Sequence, residues 1–234
     1  MNNCTIKVHW LNKSRAFRVL WLLDHLNITY EIVPYERTPG FRAPESLKKI
    51  HPLGRSPILE VEYKDNGRKD IVAESGYIFQ YVLEHFDKEG KLNNSDPQQA
   101  EKIKYYLHYA EGSLQPPLFF EFILGLAKNA KLMFPLSYLT NKVATGISEK
   151  YSKGEVKNQL DFIEGEIPKN DGYLVGGKLS AADILLSFPL DTALGRGYCD
   201  PNDYPAIANW LKKIKSEPSY EKSKSKAKEL GSDY

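Results

Sequence analysis

The chain has 234 residues, room for one large domain or two small ones with a sizeable core. Its 32 basic and 30 acidic residues leave a formal net charge of +2, too balanced to point to a nucleic-acid partner. The two cysteines, Cys4 and Cys199, are far apart and form no CxxC, so neither a disulfide framework nor a thiolate metal site is expected, and a reducing compartment fits. No apolar run approaches the roughly 20 residues of a membrane span, and the first residues lack the apolar stretch of a secretory signal. The expected location is intracellular and cytoplasmic, with room left for peripheral contact with a membrane.

Residues 5–11 alternate polar and apolar, with Ile6, Val8 and Trp10 on one face, as a half-buried strand does. After a short loop at 12–14, the dense apolar pattern of 15–26 predicts a buried helix. A second strand is expected at 30–35, a short helix at 44–50 and a third strand at 57–63. Asp65, Asn66 and Gly67 form a hairpin signal, because Asn-Gly suits a turn with positive φ. The returning strand covers 68–73, and a helix follows at 76–86. The order β-α-β-α-β-β-α predicts a thioredoxin-like α/β domain, with helices on both faces of one mixed sheet.

The stretch after Asp87 is polar and holds Gly90, Asn93 and Asn94, as a linker does. Pro97 then opens a helix, and strand signals nearly vanish. Helices are expected at 97–113, continuing or restarting after Pro116 and Pro117, then at 135–152, 155–167, 181–194, 205–216 and 220–230. The expected division is a first domain at 1–87, a linker at 88–96 and an all-helical second domain at 97–234. The Lys-rich stretch 212–228 is interleaved with Glu and Ser and reads as a solvated helix face.

Four stretches, in this order and spacing, make the chain resemble the cytosolic glutathione S-transferases, most of all the fungal members. They are Ser14-Arg15-Ala16-Phe17-Arg18-Val19-Leu20-Trp21, His51-Pro52-Leu53-Gly54-Arg55-Ser56-Pro57-Ile58-Leu59, Ala73-Glu74-Ser75-Gly76 and Ser180-Ala181-Ala182-Asp183-Ile184. The resemblance spans nearly the whole chain. It implies a glutathione-binding first domain, a helical domain that holds a hydrophobic electrophile, and a homodimer engaged in detoxification.

The residues themselves carry a compatible chemistry. A free thiol ionises near pH 8.5, so an enzyme that uses a thiolate has to stabilise the anion. Ser14 stands where a hydroxyl and a helix N-terminus can act together on sulfur, the role the resemblance gives it. Ser14 also has the character of an ordinary N-cap, and Arg15 is a neighbouring candidate for the same anion. The resemblance makes the bond before Pro57 cis and turns the backbone N–H and C=O of Ser56 toward the peptide part of glutathione, a strand-like pairing. Ser75, at a helix start, suits the γ-glutamyl carboxylate, and Glu74 suits its ammonium or orders the loop. Arg55 matches a position that contacts glutathione. His51 stands where many members have Asn, and it is a secondary candidate. Ser180 and Asp183 have the spacing of a capping box, with Asp in place of Glu or Gln, and a structural role.

An aromatic-lined cleft is expected for the electrophile, with Trp10, Tyr105, Tyr106, Tyr109, Phe119, Phe120 and Phe122 as candidates, most of them core. The five histidines show no metal-ligand spacing, and neither a G-x-S-x-G elbow nor a phosphate-binding loop occurs. The expected function is a glutathione transferase with glutathione as co-substrate and no other cofactor. The alternatives are glutathione-dependent reduction of peroxides or disulfides, and a non-catalytic interaction module of the same fold.

Overall fold

The computed structural model describes residues 3–231. Four strands, β1 (Cys4–Leu11), β2 (Glu31–Tyr35), β3 (Ile58–Tyr63) and β4 (Lys69–Ala73), form one mixed sheet in the order β2-β1-β3-β4. The β1–β2 pair is parallel, and β1–β3 and β3–β4 are antiparallel. Alternation in β1 sends Ile6, Val8 and Trp10 into the core, where Ile6 lies opposite Val61 and Val8 opposite Leu59. Helices α1 (Phe17–His25) and α2 (Ser75–Phe86) share that core and touch each other.

The opposite face of the sheet is polar where β2, β1 and β3 meet. It carries a polar cluster in which Glu60 accepts from His9 Nε2 at 3.2 Å and Lys69 Nζ at 2.9 Å, while Tyr35 bonds the other ring nitrogen of His9 at 3.0 Å. The short helix expected at 44–50 is a 3-10 turn at Glu45–Lys49. The hairpin turn also differs from a two-residue Asn-Gly turn. Only Gly67 has positive φ, at 67°, and its N–H bonds Tyr63 O at 2.9 Å, so the connection is a longer loop.

The remainder is helical: α3 (Pro97–Tyr109), α4 (Gln115–Lys128), α5 (Leu136–Ile147), α6 (Lys153–Glu166), α7 (Ala181–Gly195), α8 (Pro205–Lys215) and α9 (Pro218–Glu229). Helices α3 and α4 run on through a wide π turn at Ala110–Leu114. Pro116 and Pro117 lie just beyond it, and their rings crowd the carbonyls four residues back, which a wider turn relieves. Helices α5 and α6 are joined in the same way through Ser148–Ser152, where separate helices were expected. The buried α7 is anchored by Asp183, whose carboxylate accepts from Ser180 N, Ser180 Oγ, Leu174 N and Trp210 Nε1 at 2.6–2.9 Å. Helix α9 packs on α1, and its Lys222 and Lys226 pair with the buried Asp24, so part of the Lys-rich stretch is engaged in packing. Both cysteines are free.

Candidate functional site

At the end of the sheet where β1 and β4 stop and β3 starts, a cleft of about 520 Å³ opens. Its walls come from four separate parts of the chain: Leu11 at the end of β1 and Arg15 beyond it, Arg37 and Arg42 after β2, the loop from Lys48 to Pro57, and Ala73, Glu74 and Ser75 before and at the start of α2. Six of the sequence-predicted residues, His51, Arg55, Ser56, Pro57, Glu74 and Ser75, line it together.

Each wall has a local cause. The Ser56–Pro57 bond is cis. Ser56 Oγ donates to His9 O at 2.9 Å and accepts from Leu11 N at 3.1 Å, which ties the loop to the last turn of β1. Strand pairing starts only at Ile58, opposite His9, and among the described residues nothing pairs with the backbone N–H and C=O of Ser56. An extended peptide could bond both. His51 Nδ1 accepts from Leu53 N at 3.3 Å and shapes the same loop.

Glu74 has φ at 70° although it is not glycine, a conformation that costs energy and recurs at functional sites. It turns the chain from β4 into α2. The first α2 hydrogen bond runs from Ile78 N to Glu74 O at 2.8 Å, so the N–H groups of Ser75, Gly76 and Tyr77 have no intrahelical partner. Such an N-terminus attracts a carboxylate. Gly76 allows this helix start to approach α3, since a Cβ there would lie 2.9 Å from Leu107 O.

Ser14 is placed differently. It is buried, it does not line the cleft, and its hydroxyl donates to Leu11 O at 2.7 Å while accepting from Ala16 N at 3.2 Å. Those bonds close a turn ahead of α1, which begins at Phe17 with Ala16 as its N-cap and no side-chain cap, so Ser14 is not the N-cap. The neighbouring Arg15 lines the cleft and is paired with Glu111 on the π turn.

Two groups were missed by sequence reasoning. The first is a buried network around Arg18, whose guanidinium donates to Ser75 Oγ at 3.2 Å, Glu111 Oε1 at 2.8 Å and Leu185 O at 2.6 Å. Leu185 O is the carbonyl that an amide at position 189 would have bonded. Pro189 has no N–H to give, and Arg18 supplies the donor instead. By accepting from Arg18, Ser75 keeps its own hydroxyl hydrogen for a ligand. The available signal was an arginine set among the apolar residues of the first turns of α1.

The second missed group is a cationic wall. Arg37 is held by the carbonyls of Asn12, Lys13 and Phe41 at 2.9–3.2 Å. Burial draws it below the usual arginine range. Among the described residues, Arg37, Arg42 and Arg55 have no carboxylate partner, while Lys48 pairs with Glu45. The cleft therefore favours an anion.

Of the candidate aromatics, Trp10, Tyr106 and Tyr109 are buried in the core, and Tyr105, Phe119 and Phe120 are exposed. Among the described residues, no group of three His, Cys, Asp or Glu is arranged to hold a metal ion, and no helix is long and apolar enough to cross a membrane.

Comparison with known proteins gives a consistent set of matches. Residues 5–84 match the model of the glutathione S-transferase N-terminal domain, and residues 134–218 match that of the C-terminal domain. The chain is 64% identical over 229 residues to glutathione S-transferase 1 of Saccharomyces cerevisiae, covering 98% of each chain. It is 32% identical over 214 residues to glutathione S-transferase 3 of Schizosaccharomyces pombe, covering 92% of this chain and 84% of the relative. A solved glutathione S-transferase structure from Actinobacillus pleuropneumoniae superposes with a TM-score of 0.75 at 28% identity, over 97% of this chain and 96% of the other.

Proposed function

The chain belongs to the glutathione S-transferase family, and we infer that it binds glutathione in the cleft beside Ser56 and Ser75, ionises its thiol and directs the thiolate onto a hydrophobic electrophile. The observation that carries the assignment to this cleft is the convergence of an unpaired backbone at Ser56, a helix N-terminus at Ser75 and unpaired arginines in one cavity. Glutathione offers a peptide, two carboxylates and an ammonium, and each finds a matching group. The cysteinyl peptide pairs with the backbone of Ser56. The γ-glutamyl carboxylate sits at Ser75 and the first N–H groups of α2, and Glu74 takes the ammonium. The glycyl carboxylate meets the arginine wall, with Arg55 and His51 at its edge.

In the reaction the thiol gives its proton to solvent. The thiolate then forms a carbon–sulfur bond with the electrophile, and either a leaving group departs with its electron pair or the adduct takes up a proton. The protein contributes proximity and stabilisation of the sulfur anion. Ser14 is the thiol partner in this reading. Its hydroxyl has to turn from Leu11 O toward sulfur when glutathione arrives, and Arg15 adds positive charge at the cleft wall.

We assign residues 1–87 to the glutathione domain, 88–96 to the linker and 97–234 to the helical domain that holds the electrophile. The wider role is detoxification by a cytoplasmic homodimer. The test is turnover of a broad electrophile panel by the wild type and Ser75→Ala. Conjugation with a KM for glutathione raised about tenfold by the substitution is the expected result. Retention on glutathione resin without any conjugation would replace the transferase with a binding module. Reduction of peroxides or disulfides without conjugation would make the protein a reductase.

A further inference from the structure

The loop at 12–14 joins β1 to the turn ahead of α1, and its backbone is bent. Lys13 has φ at 50° although it is not glycine, a state that the surrounding structure has to hold in place. Ser14 stands at the end of this loop. Its hydroxyl can serve sulfur only if the backbone beneath it keeps its position, since a displacement of about 1 Å is enough to spoil a reacting geometry.

The loop is held from the far end of β2. Asn12 N donates to Tyr35 O at 3.1 Å, which extends the β1–β2 pairing past the last strand residues. Two residues further on, Arg37 N donates to Asn12 Oδ1 at 3.0 Å. The Arg37 guanidinium then bonds the loop itself, from Nε to Asn12 O at 3.2 Å and from Nη2 to Lys13 O at 3.1 Å. Its Nη1 donates to Phe41 O at 2.9 Å, in a turn where Phe41 also has positive φ, at 60°. One planar group therefore joins two bent stretches of backbone. A lysine ammonium would keep the charge but is a compact point at the end of a flexible stem, and it does not reproduce a fork of separate N–H groups. The three acceptors are neutral carbonyls, so the positive charge remains for the cleft that Arg37 lines.

We propose that Arg37 is a positioning residue for thiol ionisation: it fixes the loop at 12–14 in the conformation from which the Ser14 hydroxyl reaches the sulfur of bound glutathione. The proposal rests on Ser14 as the thiol partner. It gives the arginine wall a second task, because the residue that presents positive charge to the glycyl carboxylate also sets the geometry at the thiol end of the same ligand.

The experiment measures the ultraviolet absorbance of bound thiolate against pH, together with kcat and the KM for glutathione, on the full chain. The wild type is compared with Arg37→Lys, Arg37→Met, Ser14→Ala and the Ser14→Ala/Arg37→Lys double variant, and circular dichroism checks that each is folded. Arg37→Lys should raise the pKa of the bound thiol by at least about half a unit and so lower kcat about threefold on the acid limb, while the retained charge keeps KM within about twofold. Arg37→Met should shift the thiol in the same way and raise KM as well. In the Ser14→Ala background Arg37→Lys should add no further shift, because its effect runs through Ser14. A bound thiol in Arg37→Lys that titrates as in the wild type, while Ser14→Ala still raises it, would overturn the proposal and leave Ser14 its role. A shift undiminished in the double variant would also overturn it, since Arg37 would then act on sulfur by its own route. A bound thiol unmoved by Ser14→Ala alone would remove the thiol partner and this proposal with it.

Discussion

Helices α7 and α5 are both rich in apolar residues, and the molecule treats them in opposite ways. Helix α7 buries ten of its 15 residues, including Asp183 and Pro189, and its awkward polar groups are answered from elsewhere. Four donors surround the Asp183 carboxylate, and Arg18 fills the carbonyl that Pro189 leaves open. Helix α5 buries a single alanine and turns its apolar stripe outward. Apolar character alone does not say where a helix will sit. What separates the two is whether the rest of the chain supplies partners for the polar groups that burial strands.

The most damaging substitution in α7 is Asp183→Ala. It strands Trp210 Nε1 and two backbone N–H groups in the core, so stability should fall by about 4 kcal/mol in urea unfolding. Arg18→Met comes next, at about 3 kcal/mol, because it leaves Leu185 O unpaired and removes one of the two partners of Glu111. This variant should also raise the KM for glutathione more than it lowers kcat, since Ser75 loses the group that orients its hydroxyl. A loss of stability with an unchanged KM would make the network purely structural. On the other side, Val143→Ser should change stability by no more than about 0.5 kcal/mol, as expected of an exposed position. A large loss there would mean that α5 is buried in solution.

The smallest effect concerns pH. Burial opposes ionisation of Glu60, but hydrogen bonds from Lys69 and His9 outweigh it and hold its carboxyl below the usual range. A lowered folded pKa contributes stability that is present above the unfolded value and is lost as the pH falls through the folded one. Glu60→Gln should therefore flatten the acid limb of the stability profile below about pH 4, while leaving the neutral region nearly flat.

Much of this architecture is legible in the sequence for identifiable reasons. The strand β1 shows itself because it is half-buried, and Ile6, Val8 and Trp10 alternate with more polar neighbours. The walls at Ser56, Pro57, Glu74 and Ser75 are legible because each motif sits where a strand meets a turn. The continuity of α3 into α4 is not, because adjacent prolines usually signal a break and the π turn that absorbs them depends on local crowding. Arg18, Glu111 and Leu185 meet only in three dimensions. Arg37 and Arg42 lie in a loop with no periodicity to mark them. The outward stripe of α5 has the same pattern as an inward one, so only the packed molecule distinguishes them.

Ionisation of a bound thiol in this cleft is read from the ultraviolet absorbance of the glutathione thiolate as a function of pH. We predict that the bound thiol titrates well below the free value of about 8.5 and that Ser14→Ala raises it. A lowered value that survives Ser14→Ala would transfer the role to Arg15 or to backbone amides. A bound thiol that titrates at the free value in the wild type would contradict the account.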